Sequence, residues 1–415
     1  MTRRLDPSRE SWMRAGETRA VMAALLAWGG EARFVGGAVR NALLNREIGD
    51  IDIATPLLPA EVTRRFESAG MAALPTGIEH GTVTAITGGK AFEVTTLRRD
   101  VSTDGRRATV EFSNDWAEDA ARRDFTINAL YASLDGELFD FTGGLADLEA
   151  GRVRFIGEAS ARIREDYLRI LRLFRFHAWY GKGEIDGEGL RAAAAGRSGL
   201  QKLSGERIQK ELLRLLEAEN PVPSLRAMAA TGILAEIVPT GARLDRLERL
   251  TAIDMAHFFV ADPVLRLAAL LPDDSAVAKA LAERLRLSNE NRERIEDLAG
   301  ASEKFVPYLS VREVHRLLYR LGARPFRDRV LLRWSEDGKD SNAIAWRALL
   351  ALADTWTRPR FPLTGRDVMA AGVPEGPHVG HVLAEVEAWW IDSDFTEDRL
   401  SLAERLKAIV QSSTF

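Results

Sequence analysis

Cysteine is absent from the 415 residues, which excludes disulfides and thiolate metal sites. No apolar run approaches the ~20 residues needed to span a bilayer. The N-terminus, MTRRLDPSRESWM, lacks an apolar h-region, so no secretory signal is expected and the cytoplasm is the expected compartment. No repeat of fixed period is present. Positive charge is not in excess: the net charge of −4 argues against indiscriminate nucleic-acid binding, so any RNA site must be a local patch. What is there, 46% hydrophobic and 28% charged residues, is ordinary for a soluble protein. The length allows two or three domains with a large core.

One stretch, Phe34 to Thr55 (FVGGAVRNALLNREIGDIDIAT), combines several signals. Gly36 and Gly37 follow a short apolar run, and Ala38 to Leu44 reads as a helix. A strand, a glycine turn and a helix start leave backbone N–H groups free to hold an anion. Arg40, one turn into that helix, is placed to grip a phosphate oxygen with two bonds. Asp50-Ile51-Asp52-Ile53 alternates as a strand, with both carboxylates on one face and both isoleucines toward a core. Two acids at that spacing make a poor ion pair and a good divalent-metal site. Oxygen-only ligands suit Mg²⁺, which takes one or two carboxylates plus substrate phosphates. Taken singly, a Gly-Gly is usually a turn and an Asp-x-Asp a solvated loop end.

Further along, Thr18 to Trp28 and Ala60 to Ala69 read as helices and Arg33 to Val35 as a strand. His80 to Ile86 and Ala91 to Leu97 read as a hairpin closed by Gly88-Gly89. Glu93 lies on the face opposite Phe92, Val94 and Thr96. It is either a third carboxylate beside the first two, as two-metal chemistry requires, or an edge-strand charge. Arg98 to Phe112 is polar and is expected to be a mobile surface loop. In ARRDFTINAL, Arg122 and Arg123 offer phosphate contacts and Asp124 offers an acceptor for a ribose hydroxyl. Asn128 is expected one helical turn away, on the same face. As bare residues, this cluster is usually a solvated helix start. Ile163 to Tyr180 reads as one helix with Asp166, Arg169, Arg172 and Arg175 at every third position. An arginine row on an otherwise apolar helix is costly unless it faces a ligand or carboxylates. Beyond Gly181 the spacing is helical, over Glu206–Ala218, Pro263–Leu271, Ser275–Leu287, Val311–Leu321 and Ala343–Thr355.

The glycine turn with its Asp-x-Asp strand resembles the signature of the nucleotidyltransferases related to DNA polymerase β. It is most similar to the class II branch, which holds the tRNA CCA-adding enzymes and the bacterial poly(A) polymerases. Asn41 departs from the Asp that usually follows the arginine. RRDFTINA resembles the family's ribose-recognition motif, and Phe139 to Leu148 its hinge. Residues 165–176 match the EDxxRxxRxxRF helix that reads the incoming base and holds the triphosphate. Arg284 to Asn291 and Gly376-Pro377…Val379-Gly380 resemble parts of the body and of the tail that meets the tRNA elbow. With six His and no His-Asp pair, the phosphohydrolase domain fused to some relatives is not expected.

The resemblance implies an α+β nucleotidyltransferase head with a small mixed sheet, followed by an all-α neck, body and tail. The implied divisions are 1–150 for the head, 151–240 for the neck with the recognition helix, and 241–415 for a tRNA-binding body and tail. It implies addition of C, C and A to tRNA 3′ ends from CTP and ATP, with Asp50, Asp52 and Glu93 catalytic and Asp50 and Asp52 on Mg²⁺. Nucleotide binding falls to Gly36, Gly37, Arg40, Arg123, Asp124, Asn128, Asp166, Arg169, Arg172 and Arg175. The alternative is a bacterial poly(A) polymerase. The polar segment Arg98–Phe112 lies where CCA-adding enzymes carry a flexible loop. The ending LSLAERLKAIVQSSTF lacks the basic extension usual in the polymerases, and both features favour tRNA.

Overall fold

Alternation of apolar and polar residues fixes a sheet in the first third of the chain, as a computed structural model covering residues 4–104, 107–239, 241–301 and 303–412 shows. The chain divides into two compact units, Met1–Ala242 with Arg284–Leu287, and Arg243–Glu283 with Ser288–Phe415.

In the first unit, strands β1 (Arg33–Val35), β2 (Asp52–Thr55), β3 (Ala72–Gly77), β4 (Thr82–Thr87), β5 (Lys90–Thr96), β8 (Leu130–Ala132) and β9 (Leu138–Asp140) form one sheet in the order β3-β4-β5-β2-β1-β8-β9. Two further strands, β6 (Arg98–Asp104) and β7 (Arg107–Phe112), pair only with each other. The β4–β5 hairpin turns at Gly88 and Gly89, whose φ of 56° and 75° are those a tight type I′ connection needs. β2 pairs with β1 antiparallel and with β5 parallel, so the sheet is mixed. The parallel pair exists because the chain leaves β2 through the helix Pro59–Ser68 and returns by way of β3 and β4. Phe92 and Val94 of β5 are buried and Glu93 between them is exposed, as alternation requires.

Four expectations change. Asp50 and Ile51 precede β2 instead of lying in it. The segment expected as a mobile loop is the β6–β7 ribbon; Gly105 and Arg106 at its tip lie outside the described residues. Asp124 to Asn128 is a turn into a short 3₁₀ segment, Thr126–Asn128. The long helix is two, Ala159–Glu165 and Leu168–Tyr180. Asp166 breaks it: its backbone is extended (φ −154°, ψ 109°) and its Oδ1 accepts the N–H of Leu168, two residues on, at 3.1 Å, as in an Asx turn.

Phe125 packs against Phe155 (4.7 Å between rings) and Phe176 (5.3 Å), fastening the recognition helix Leu168–Tyr180 to the sheet end of the unit. From Gly144 onward the described elements are all helical. The second unit packs Tyr319, Val368, Val386, Trp390, Leu402 and Leu406 into its own core. Among the described residues no helix is long and apolar enough to cross a membrane.

Candidate active site

The site is built from the loop between β1 and its following helix outward. Gly36 adopts φ +70°, a conformation that favours glycine, and its N–H is spent on the carbonyl of Leu130 at 3.0 Å. The expected anion cradle would therefore begin at Gly37, the first residue of the helix Gly37–Leu43. Arg40 lines the cavity but is buried, and each of its nitrogens already donates within the protein. Nη2 reaches Tyr180 Oη at 2.8 Å and Asn41 Oδ1 at 3.0 Å, Nε reaches Asn41 Oδ1 at 3.2 Å, and Nη1 donates to Asn128 Oδ1. All three partners are neutral. Burial pulls its pKa below the usual guanidinium range.

Asp52 starts β2, and the parallel register sets Glu93 opposite it, while Thr84 on β4 lies opposite Glu93 from the other side. Asp50 is more exposed and lines the same cavity. Burial pushes the Asp52 carboxyl up, the charges of Glu93 and Asp50 push it further, and Arg123 opposes them. Among the described residues no three His, Asp or Glu side chains form a ready-made metal cluster. The donor set nevertheless fits Mg²⁺, which needs only one or two carboxylates when waters and substrate phosphates complete its shell. The mutual repulsion that raises Asp52 is what a cation would relieve.

A second group lies behind the acids. Asp119, buried, binds Arg122 through Oδ1 (2.6 Å) and Arg123 through Oδ2 (3.0 Å), and also accepts from Tyr131 Oη at 2.7 Å. Burial alone would raise the Asp119 carboxyl; the two arginines and Tyr131 reverse this and hold it below its ordinary value. Asp124 accepts from its neighbour Phe125 N–H (2.8 Å) and from Asn128 Nδ2 (3.0 Å), so those residues meet without the expected helical turn. Its other oxygen accepts from Arg172 Nε at 2.7 Å.

The helix Leu168–Tyr180 supplies the facing wall. Arg172 is spent on Asp124. Arg175 donates its Nε to Glu211 and lies 4.1 Å over the Phe176 ring. Arg169 donates to the Arg162 carbonyl at 3.0 Å and to Glu165. Asp166 accepts from Arg207 at 2.7 Å. Asp166 and Arg169 are neighbours, with the Arg169 N–H donating to the Asp166 carbonyl at 3.0 Å, but their side chains bond to other partners. Arg207, Lys210, Glu211 and Arg214, on one side of the helix Gly205–Leu216, were not singled out from sequence. Their spacing of three to four residues was readable; nothing in it said that the polar face meets a site and not water.

Every candidate residue lines one cavity of about 1110 Å³ within the first unit, together with Thr84, Arg122, Phe176 and this helix. Asp50, Asp52 and Glu93 come from the sheet side with Arg122 and Arg123 near them, and most of the remaining cations come from the helical side with Asp166 and Glu211 among them. Such a cavity can hold a metal–triphosphate against the acids and a base against Asp166 and Arg169.

Residues 32–154 match the family model described as the Poly A polymerase head domain, and residues 184–244 that of the probable RNA and SrmB-binding site of polymerase A. The mitochondrial CCA tRNA nucleotidyltransferase 1 of Mus musculus is 34% identical over 91% of this chain and 86% of its own. The CCA-adding enzyme of Levilactobacillus brevis is 32% identical over 89% of this chain and 91% of its own. The crystal structure of the Bacillus stearothermophilus CCA-adding enzyme in complex with CTP superposes with a TM-score of 0.76, at 27% identity, over 94% of this chain and 96% of the other. The fold is thus that of a nucleotidyltransferase. The chain belongs to the family of CCA-adding enzymes.

Proposed function

We propose that this enzyme adds C, C and A to the 3′ end of tRNA from CTP and ATP, releasing pyrophosphate. The observation that carries the reading is one cavity with Asp50, Asp52 and Glu93 on one wall and Asp166 with the helix Leu168–Tyr180 on the other. The terminal RNA hydroxyl attacks the α-phosphorus in line. A new P–O bond forms to the RNA, the bond to the β-phosphate oxygen breaks, and the hydroxyl proton leaves to solvent.

Asp50 and Asp52 would hold Mg²⁺, with Glu93 beside them, and the ions would supply charge stabilisation at the attacking and leaving oxygens. Gly37 and the following amides face the phosphates, and Arg175, whose Nε is anchored on Glu211, turns its remaining nitrogens to them. Arg123 is held by Asp119 at the acidic wall, where it offsets charge. Arg172 and Asn128 fix Asp124, whose role is the ribose. Arg40 acts as a pillar beneath the cradle. Asp166 accepts from the exocyclic amine of C or A, and Arg169 donates to the adjacent ring nitrogen; U and G present a carbonyl where the amine should be.

Residues 1–150 would carry catalysis, 151–240 nucleotide recognition and 241–415 the tRNA body, in a cytoplasmic enzyme. Relatives named as CCA-adding enzymes favour tRNA over poly(A) addition. Incubating the protein with tRNA lacking its terminal triplet, with CTP alone, ATP alone and both, tests this. The full triplet is expected only with both, and an unbounded A tail from ATP alone would overturn the reading.

A further inference from the structure

The two residues that would read the base are each held by a partner that the reading itself does not require. Asp166 Oδ2 accepts from Arg207 Nη2 at 2.7 Å, and Oδ1 accepts from the Leu168 N–H at 3.1 Å. Arg169 Nη1 is tied to the Arg162 carbonyl at 3.0 Å and to Glu165. Among the described residues no side-chain bond joins Asp166 to Arg169; the backbone N–H of Arg169 donates to the Asp166 carbonyl at 3.0 Å, which leaves the carboxylate and the guanidinium to other partners. Residues three apart near one helix are natural ion-pair partners, so their separation here is imposed. A reading pair that neutralised itself would have neither acceptor nor donor left for a base.

We propose that Arg207 is a positioning residue that sets base choice. It holds Asp166 away from Arg169, as Glu165 holds Arg169 away from Asp166, so that both present free edges to the incoming nucleotide. This rests on the reading of the cavity as the CTP and ATP site.

The physical argument is one of competition. Asp166 and Arg169 are half-buried, where attraction between unlike charges exceeds its value in water severalfold. With Arg207 in place, the carboxylate is already compensated and has little to gain by closing on Arg169. Without it, Arg169 is the adjacent cation on the same segment, and the pair collapses. A collapsed pair penalises C and A, which lose their contacts. It also removes the penalty on U and G, whose exclusion depends on leaving those charges unpaired. Arg207 comes from the helix Gly205–Leu216, whose Glu211 anchors Arg175 one turn further on. One helix therefore orients both ends of the nucleotide.

The test compares Arg207→Met, which keeps the stem, and Arg207→Lys, which keeps the charge, in the full chain. Initial rates on tRNA lacking its triplet are measured for all four nucleotides, and CTP and UTP binding is titrated separately in EDTA. Arg207→Met should raise the KM for CTP and ATP about tenfold with a smaller change in kcat, and lower the preference for CTP over UTP about tenfold or more. In the EDTA titration CTP affinity should fall while UTP affinity holds or rises, and Arg207→Lys should recover most of the preference. A merely structural role predicts equal losses for every nucleotide, and an unchanged CTP-to-UTP ratio in Arg207→Met overturns the proposal. If the unsubstituted protein fails to extend the tRNA, the functional reading itself is wrong; if it extends normally and only the ratio stands still, Arg207 alone is misassigned.

Discussion

Asp52 and Glu93 stand opposite each other on the parallel strands β2 and β5, so their carboxylates share one face of the sheet. The arrangement works against the folded protein when no cation is bound. A carboxyl raised in the folded state costs stability once the pH passes its ordinary value of 3.8, because the folded chain resists ionisation that the unfolded chain accepts. Asp52→Asn should therefore raise the melting temperature of metal-free protein at neutral pH by roughly 1–3 °C, while nucleotide addition falls by about a hundredfold or more. Calorimetry in EDTA and a primer-extension assay check the two halves. A melting temperature that drops would show that Asp52 is a structural acid.

The same repulsion has a pH signature. Glu93→Gln removes the charge that, after burial, does most to raise Asp52. The residual activity of that variant should keep its acid limb at lower pH than the unsubstituted enzyme. Profiles of kcat/KM between pH 4.5 and about 8 decide this, and a limb that stays in place or moves up rules out the coupling.

The β6–β7 ribbon stands on a closed base, where the N–H of Ser113 donates to the Leu97 carbonyl at 2.9 Å. Residues 99–111 can thus be replaced by Gly-Gly without disturbing β5. The shortened protein is expected to add both C residues and stop before A. Sequencing the product ends gives the answer, and a complete triplet would mean that the ribbon is a plain insertion.

Arg40 is buried against Asn41, Asn128 and Tyr180, none of them charged. Asn41→Asp puts a carboxylate where Oδ1 now accepts at 3.0 Å, and should stabilise the first unit by about 1 kcal/mol. Thermal unfolding at pH 7 and again at pH 4 tests it, since the gain should shrink as the new carboxyl is protonated.

At the facing wall, Asp166→Ala should let UTP and GTP be incorporated, whereas Arg175→Ala should weaken all four nucleotides alike, by about tenfold. Parallel single-nucleotide incorporation assays separate these outcomes. Continued exclusion of UTP by the Asp166→Ala protein would move base choice elsewhere.

Much of the site was legible because its chemistry is local in sequence. Gly36, Gly37, Asp50 and Asp52 lie within one strand–helix–strand stretch, and the β4–β5 hairpin that carries Glu93 announces itself by Gly88-Gly89. What escaped depends on partners distant in sequence. Strands β8 and β9 are three residues each, too short for alternation to show, and exist because β1 offers an edge to Leu130–Ala132. The ribbon looked like a loop because, among the described residues, its strands pair with each other and not with the main sheet, although Arg99 and Glu111 pair across it at 2.8 Å. The break at Asp166 followed no glycine or proline. It is marked by the Asp166 side chain turning back onto the Leu168 N–H, and from spacing alone the row still reads as continuous. Glu211 and Arg207 were invisible as site residues, since an amphipathic helix shows which face is polar but not what that face meets.

The parallel pairing of β2 with β5 also bears on when the enzyme can first work. Asp52 leaves the ribosome early, but its partner strand follows only after the helix Pro59–Ser68 and strands β3 and β4, and β8, which completes β1's other edge, comes later still. Contacts so far apart in sequence close slowly, because the loop entropy must be met before the pairing returns anything. The helix Leu168–Tyr180 and Arg207, which form the facing wall, emerge later than the whole sheet. From Asp52 to Arg207 a growing chain thus carries its acids without their facing wall, and chemistry begins only when that wall is in place.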